Sequence, residues 1–164
     1  IFTSGKIIST TVFFSKNNHQ WMQKAIHLAE IALSKDEIPV GAIIVKNEKI
    51  VGQGYNQKEL LKDPTAHAEI IAITSAASTL NDWRLNGCTM YVTKEPCAMC
   101  SGAIINSRVS TVIFGAYDKK KGCCGSLYLL CGDPLLESKT TVKGGVEEEH
   151  CSLLLKDYFK KNRR

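Results

Sequence analysis

The spacing of hydrophobic and polar positions changes several times along the chain, and each change predicts a different element. Apolar side chains recur every three or four positions in residues 18–34, which predicts a packing helix with Asn18 as a candidate N-cap. In residues 40–56, two β-branched runs flank a polar turn at 46–49, which predicts a β-hairpin. The polar stretch NQKELLKDP (56–64) predicts an extended loop.

The rest of the chain predicts strands that alternate with helices. Residues 66–77, after Pro64, carry an apolar stripe at helical spacing. A short helical piece is expected after the Gly-rich loop at 119–126. The pattern also predicts strands at 88–93, 109–116 and, weakly, 139–145, and helices at 97–107 and 146–160. Because continuous apolar strands need cover on both faces, we expect an α/β sandwich with a central sheet.

Composition narrows the class of protein. At 164 residues the chain has the size of one domain, and its 44% hydrophobic and 23% charged content is typical of globular proteins. No apolar run approaches the roughly 20 residues that span a bilayer, so we expect no membrane partner. The formal charge is +5, and several positive residues gather in the terminal KDYFKKNRR. Such a terminus is typical of a solvated tail, with nucleic-acid contact as the functional alternative.

Cysteine usage indicates the compartment. The seven cysteines form no evenly spaced framework and include a C-x-x-C pair, which favours a reduced compartment such as the cytoplasm and metal binding. The opening segment, residues 1–16, has no initial methionine and resembles an organelle transit peptide in its Ser/Thr content and lack of acids. We interpret it as an N-terminal extension of unknown role before a single domain at 17–164, with an organelle as the alternative location.

Three residues of zinc-ligand type stand at two predicted helix starts. Cys97 and Cys100 lie at i and i+3, so both thiolates face one side of a first helical turn, and His67 opens the preceding helix. Free N–H groups at helix starts favour thiolates. Three protein ligands leave a fourth position open, as in catalytic zinc sites. Zinc lowers the pKa of a bound water to about 7, which makes a nucleophile available near neutral pH.

Glu69 stands two positions after His67 and has the chemistry of a proton shuttle. Alternatively, His67 caps a helix, Glu69 complements its dipole, and the two cysteines are small buried hydrophobes. The combination of H-A-E with P-C-A-M-C about thirty residues later favours the catalytic interpretation. H-x-E…P-C-x-x-C is the signature of zinc nucleobase deaminases.

Longer stretches resemble one family. IPVGAIIV, DPTAHAEIIA, DWRLNGCTMYVTKEPCAMCSGAIINSRV, VIFGAYDKKKGCCGSL and LLLKDYFKK, within about residues 20–162, are similar to the tRNA-specific adenosine deaminases. The resemblance implies a cytidine deaminase-like fold, a three-layer α/β/α sandwich with a five-stranded mixed sheet. It implies a homodimeric hydrolase that converts the wobble adenosine of a tRNA anticodon stem-loop to inosine.

The resemblance also implies site residues. Glu69 matches the proton shuttle, and the ligands of one Zn²⁺ per subunit match His67, Cys97 and Cys100. Asn56 matches an asparagine that hydrogen-bonds the target base, with a turn asparagine as the alternative. Asp118 matches an acidic residue whose loop contacts neighbouring nucleotides, although an exposed loop aspartate is often only solubilising. Tyr158 and Phe159, interleaved with basic residues, suit a platform that stacks a base, or else pack a closing helix.

Two alternatives to this function remain open. A deaminase of free guanine, cytosine or a nucleoside would share the zinc motifs but not the basic aromatic tail. A non-catalytic nucleic-acid-binding module with a structural zinc would need a fourth ligand, for which the candidates are Cys88, Cys123 and Cys124. The segment 137–139, Glu-Ser-Lys, departs from the Asn-His-Arg often found in bacterial members, which puts some tRNA contacts in question.

Overall fold

Helices and strands form where the hydrophobic spacing changes. The computed structural model describes the backbone of residues 5–163 and the side chains of residues 17–163. Two single-turn 3₁₀ helices, Leu130–Gly132 and Pro134–Leu136, provide the predicted short helical piece. The main elements are α1 (Gly5–Ser34), β1 (Gly41–Lys46), β2 (Lys49–Tyr55), α2 (Lys58–Leu61), α3 (Ala68–Leu80), β3 (Thr89–Lys94), α4 (Ala98–Asn106), β4 (Thr111–Ala116), β5 (Thr141–Lys143) and α5 (Glu148–Lys161).

The strands form one five-stranded mixed sheet in the order β2-β1-β3-β4-β5. β1 pairs antiparallel with both β2 and β3, whereas the β3–β4 and β4–β5 pairs are parallel. Asn47 and Glu48 both have positive φ, 49° and 60°, as in the tight turns that suit the twist of a hairpin. The parallel pairs bring the carboxyl ends of β3 and β4 to one edge of the sheet.

Alternate side chains of the central strands enter two separate cores, one on each face of the sheet. One core packs β1, β3 and β4 against α1 and α5, and its buried strand residues are Ile43, Val45, Tyr91, Ile113 and Ala116. The other packs the same strands against α3 and α4, and its strand residues are Ala42, Ile44, Met90, Val92, Val112 and Phe114. The predicted three-layer α/β/α sandwich is therefore confirmed.

Helix α3 lies unusually close to strand β2. A Cβ atom on Gly54 would lie 2.7 Å from the carbonyl oxygen of Ala68, and one on Gly52 would lie 2.5 Å from that of Ala72. Ala68 and Ala72 are fully buried in this contact. Two glycines facing small residues thus let the helix backbone rest directly on the strand, which fixes the first turn of α3 relative to β2.

Gly54→Ala is expected to destabilise the fold, because the new methyl group would meet the backbone of α3. Overpacking of this kind costs about 1–3 kcal/mol. Gly102→Ala is the matched control, since a Cβ at Gly102 meets nothing within 4 Å and the residue lies in α4. Alanine in a helix is favoured over glycine, so the control should gain about 0.5–1 kcal/mol. Chemical denaturation of both variants checks the pair, and equal stabilities would contradict this packing.

Two expectations about local structure are wrong. Asn18 does not cap a helix, because α1 is continuous from residue 5 to residue 34; instead its Oδ1 accepts a hydrogen bond of 3.0 Å from the Tyr91 hydroxyl. The stretch 56–64 is not wholly extended, because α2 forms within it. Its stabilising contact comes from Glu37, which is distant in sequence and accepts the N–H groups of Glu59 and Leu60.

The expected boundary between an N-terminal extension and the domain, at residues 16 and 17, remains a prediction. Residues 1–4 lie outside the described residues, and the backbone of α1 crosses the boundary. Within residues 5–163, no helix combines the length and apolar character needed to cross a membrane.

Candidate active site

Two helix starts meet at the edge of the sheet where β3 ends. His67 is the N-cap residue of α3, Cys97 is the N-cap residue of α4, and Cys100 lies in the first turn of α4. Nδ1 of His67 lies 3.7 Å from Sγ of Cys97 and 3.5 Å from Sγ of Cys100. The three ligand atoms all lie within 4.8 Å of one another. The structure thus brings the three predicted ligands together.

This donor set suits zinc. One imidazole nitrogen and two thiolates are typical zinc ligands, with bonds of about 2.0 and 2.3 Å. In a tetrahedral arrangement those bond lengths separate nitrogen and sulfur by about 3.6 Å, which matches the two observed N···S distances. Among the described residues, no fourth His, Cys, Asp or Glu joins the group. A zinc ion held here would keep an open position.

The three ligand side chains are hydrogen-bonded to one another, and these contacts shift their pKa values in a way that favours binding of a cation. A hydrogen bond from Cys100 lowers the pKa of Cys97 to about 3. Burial of Cys97 acts in the opposite direction, and a hydrogen bond with His67 adds to the lowering. The hydrogen bond between Cys97 and Cys100 raises the pKa of Cys100, as do its burial and the nearby charges of Glu69 and Cys97. The bond with Cys97 also raises the pKa of His67. Because a second thiolate is disfavoured beside the first, a divalent cation would take the place of the shared protons.

Glu69 lies one residue inside α3 and is only 4% exposed. Burial is the main reason that its pKa is raised, and the negative charge of Cys97 adds to the effect. Its carboxylate is not part of the ligand group. A buried carboxyl group with a raised pKa, next to a metal-binding group, can hold and release a proton.

Asn56 follows the end of β2 and is 5% exposed. The N–H of its neighbour Gln57 donates a 3.0 Å hydrogen bond to the carbonyl oxygen of Ala66, directly before His67. The end of β2 is therefore tied to the start of α3. The side-chain Nδ2 of Asn56 donates to Oε2 of Glu37, at 3.4 Å.

Two buried carboxylates that the sequence pattern did not single out support the site. Glu37 is 1% exposed and Glu95 is 2% exposed. Glu95 accepts the N–H of Asp118 at 3.3 Å and that of Ser126 at 3.0 Å, which holds the loop after β4 against the start of α4. In the sequence, one acidic residue beside a strand looks like any solvated carboxylate. Position next to Pro96 and Cys97 is the one signal that could have indicated Glu95.

Asp118 orders the loop that it belongs to. Its Oδ2 lies 2.9 Å from Nζ of Lys94, and its Oδ1 accepts the N–H groups of Lys120 and Lys121 at 3.0 and 3.1 Å. Burial raises the pKa of Asp118, but these hydrogen bonds and the charge of Lys94 lower it by more, so the pKa lies below its ordinary value. The carboxylate is thus engaged within the protein, while the side chains of Lys119, Lys120 and Lys121 are exposed.

Tyr158 and Phe159 lie on α5 and not in the metal-binding group. Their rings meet edge to face with centroids 5.3 Å apart, and Phe159 is 49% exposed. Burial raises the pKa of Tyr158, and the negative charges of Glu37 and Glu59 add to the effect. An exposed aromatic ring is therefore available on α5.

The segment 137–139, which departs from the family pattern, lies away from the metal-binding group. It lines a groove together with Trp83 and Arg108, next to the residues that precede β3, β4 and β5. The amino ends of these parallel strands form the edge of the sheet opposite to the metal-binding group. The unusual Glu-Ser-Lys segment therefore does not contact the three ligands or Glu69.

Comparisons with known proteins agree with this geometry. The family model of the MafB19-like deaminases matches residues 16–163. The tRNA-specific adenosine deaminase of Bacillus subtilis is 42% identical over 144 residues, which cover 88% of this chain and 89% of the relative. A solved structure from a study of A-to-I editing by tRNA:A34 deaminases superposes with a TM-score of 0.80 at 34% identity, covering 83% of this chain and 99% of that chain.

The same fold also carries another activity. The guanine deaminase of Bacillus subtilis is 38% identical, but the likeness covers 60% of this chain and 63% of that chain, with a TM-score of 0.57. Likeness over nearly the whole length is found with the tRNA enzymes, at 40–46% identity. On both the family match and this likeness over 87–91% of its length, the chain belongs to the tRNA-specific adenosine deaminases, within the MafB19-like deaminases.

Proposed function

We propose that this protein converts the wobble adenosine of tRNA to inosine by hydrolysis. The observation that carries the proposal is a buried carboxyl group, Glu69, beside a three-ligand group suited to zinc, in a chain of this family. Water is consumed, the C6 amino group leaves as ammonia, and the base becomes hypoxanthine.

The chain's own residues would bind the metal and move protons. His67, Cys97 and Cys100 would hold one Zn²⁺ per subunit, and zinc activates water near neutral pH. Glu69 would take one proton from the water and deliver it to the ring nitrogen beside C6 as oxygen adds to that carbon, and would then move the proton of the new C6 hydroxyl to the amino group, which leaves as ammonia. Burial of Glu69 supports this role, because burial raises the pKa of the carboxyl group and so makes it easier to protonate than an exposed carboxylate.

An RNA substrate is supported by the surroundings of the site. The target base must be unstacked to enter, and an anticodon loop presents single-stranded bases at low cost. Lys119, Lys120 and Lys121 are exposed on the loop that Glu95 holds beside α4, and such side chains neutralise phosphates. Phe159 adds an exposed ring on which a base can stack.

Removing Lys120 and Lys121 is expected to weaken tRNA binding without changing the metal content. In the double variant Lys120→Ala with Lys121→Ala, KM for tRNA should rise. The slope of the log binding constant against log salt concentration should become shallower by about 0.7–0.9 for each lost phosphate contact. Lys46→Ala with Lys49→Ala is the control, with the same charge change at the far end of the β-hairpin. Binding titrations at several salt concentrations measure both slopes. Identical slopes would contradict phosphate binding by the loop.

The non-catalytic alternative is disfavoured. It needs a fourth ligand, yet Cys88, Cys123 and Cys124 are outside the metal-binding group of the described residues. Cys124 instead contacts Cys131, with 3.4 Å between the two Sγ atoms. Free-base deamination remains the alternative enzyme activity, and the assay that separates it offers an adenosine-34 arginine tRNA transcript beside free adenine, guanine and cytosine. Conversion of a free base without conversion of the tRNA would overturn the proposal.

We further propose a homodimer located in the cytoplasm. Four apolar side chains in or just before the two 3₁₀ helices are at least half exposed: Leu127, Tyr128, Leu129 and Leu135. Such exposure is expected of a surface that a second copy of the chain covers. Sedimentation should give a mass twice that of the chain. A monomer at every concentration would contradict the dimer.

A further inference from the structure

Glu37 is a buried carboxylate with no cationic partner among the described residues. Three N–H donors converge on its two oxygens. Oε1 accepts the backbone N–H of Leu60 at 2.5 Å, and Oε2 accepts the backbone N–H of Glu59 at 3.2 Å and Nδ2 of Asn56 at 3.4 Å. Hydrogen bonds to an ionised acceptor are stronger than neutral ones, which offsets the cost of burying the charge.

Two of these bonds stabilise the start of α2. Gln57, the N-cap residue of this four-residue helix, makes no side-chain capping bond. Glu37 accepts the free N–H groups of the first turn in its place, from the segment between α1 and β1. The third bond therefore reaches Asn56 from a carboxylate that is already held in position.

A carboxylate without a proton only accepts hydrogen bonds, so Asn56 must turn its amide nitrogen toward Glu37. The amide oxygen then faces away. No buried side-chain oxygen or nitrogen of the described residues lacks a partner, and Oδ1 of Asn56 makes no described hydrogen bond. Oδ1 is therefore not fully buried, and it is free to accept a hydrogen bond from a ligand.

We propose that Glu37 is a positioning residue that locks the Asn56 carboxamide with Oδ1 toward the base, and so selects an adenine edge. This inference rests on the proposed function. The Oδ1 acceptor matches adenine, which presents an N6 donor, whereas guanine presents an acceptor, O6, at the same position. Hypoxanthine, the product base, also carries an oxygen at C6. The locked amide thus favours substrate over product.

A double-mutant cycle tests whether Glu37 acts through Asn56. Glu37→Gln offers one acceptor for three donors and leaves the Asn56 amide free to turn over. With Asn56 present, this variant should lower kcat/KM for tRNA roughly 10- to 100-fold. In an Asn56→Ala background the same change should cost less than about threefold. Equal losses in both backgrounds, or no loss in the first, would overturn the proposal.

Two readouts separate positioning from a merely structural role. Inhibition by inosine-containing product tRNA should strengthen relative to KM in Glu37→Gln, while zinc content stays unchanged; unchanged relative inhibition would overturn the proposal. Glu59→Gln is the control, since the side chain of Glu59 is exposed and only its backbone N–H contacts Glu37. The control should stay within about twofold of the unmodified protein.

A melting comparison needs no activity. Asn56→Asp places a second carboxylate against Glu37 and should lower the melting temperature by several degrees. Adding Glu37→Gln to that variant should restore part of the loss, and no restoration would overturn the contact. If the unmodified protein converts no tRNA, the proposed function fails, while this comparison still tests the Glu37–Asn56 contact.

Discussion

Glu69→Gln is expected to retain zinc and lose almost all deamination. The substitution keeps the shape of the side chain but removes its ability to take up and release a proton. Proton transfer by a positioned side chain contributes about 10²–10⁴-fold to a rate, and this reaction uses the carboxyl group more than once. The loss should appear in kcat, with little change in KM for tRNA, because the interaction is made in the transition state.

Metal analysis and single-turnover assays on the same preparation check this prediction. Glu48→Gln is the control, because Glu48 is exposed in the turn between β1 and β2. Loss of zinc from Glu69→Gln would mean that Glu69 is a metal ligand and would refute its assignment as the proton shuttle.

Cys97→Ala is expected to abolish both zinc binding and activity. Two ligands cannot hold the ion tightly, and the folded state loses the stabilisation that zinc supplies. That loss is about 3–4 kcal/mol where free zinc stands at roughly 100 to 1,000 times its dissociation constant. Thermal melting with and without a chelator measures it, and the variant should melt at the same temperature under both conditions.

Cys123→Ala is the matched control for this loss. Cys123 is buried, and its Sγ contacts the carbonyl oxygen of Lys121 without joining the ligand group. This variant should keep stoichiometric zinc and respond to the chelator like the unmodified protein. Loss of zinc from Cys123→Ala would instead favour a closed, four-ligand structural site.

The alternation of strands and helices, and the residues of the metal-binding group, could be predicted from the sequence. Long apolar strands reveal the sheet because their pattern depends on burial alone. The motif formed by His67, Glu69, Cys97 and Cys100 is defined by residue spacing, so it can be recognised even where the boundaries of helices and strands are uncertain. Their meeting at one edge follows from two helices that begin at the same end of the sheet.

The supporting carboxylates could not be predicted. Glu37 and Glu95 are polar in the sequence, and their burial depends on N–H donors 19 to 31 positions away. Helix α2 is not predictable for the same reason, because its first turn depends on Glu37. The N-cap prediction for Asn18 is wrong because an asparagine in a polar stretch looks the same in sequence whether it caps a helix or, as here, lies within one and accepts a hydrogen bond from a tyrosine hydroxyl.

The central claim is that a zinc-binding group and Glu69 deaminate the wobble adenosine of tRNA. The most direct measurement maps inosine by nucleotide position in an adenosine-34 arginine tRNA transcript after incubation with the zinc-loaded protein, with Glu69→Gln and free adenine, guanine and cytosine in parallel. We predict inosine at the wobble position alone, none with Glu69→Gln, and no conversion of the free bases. Deamination of a free base with no inosine in the tRNA would contradict the account.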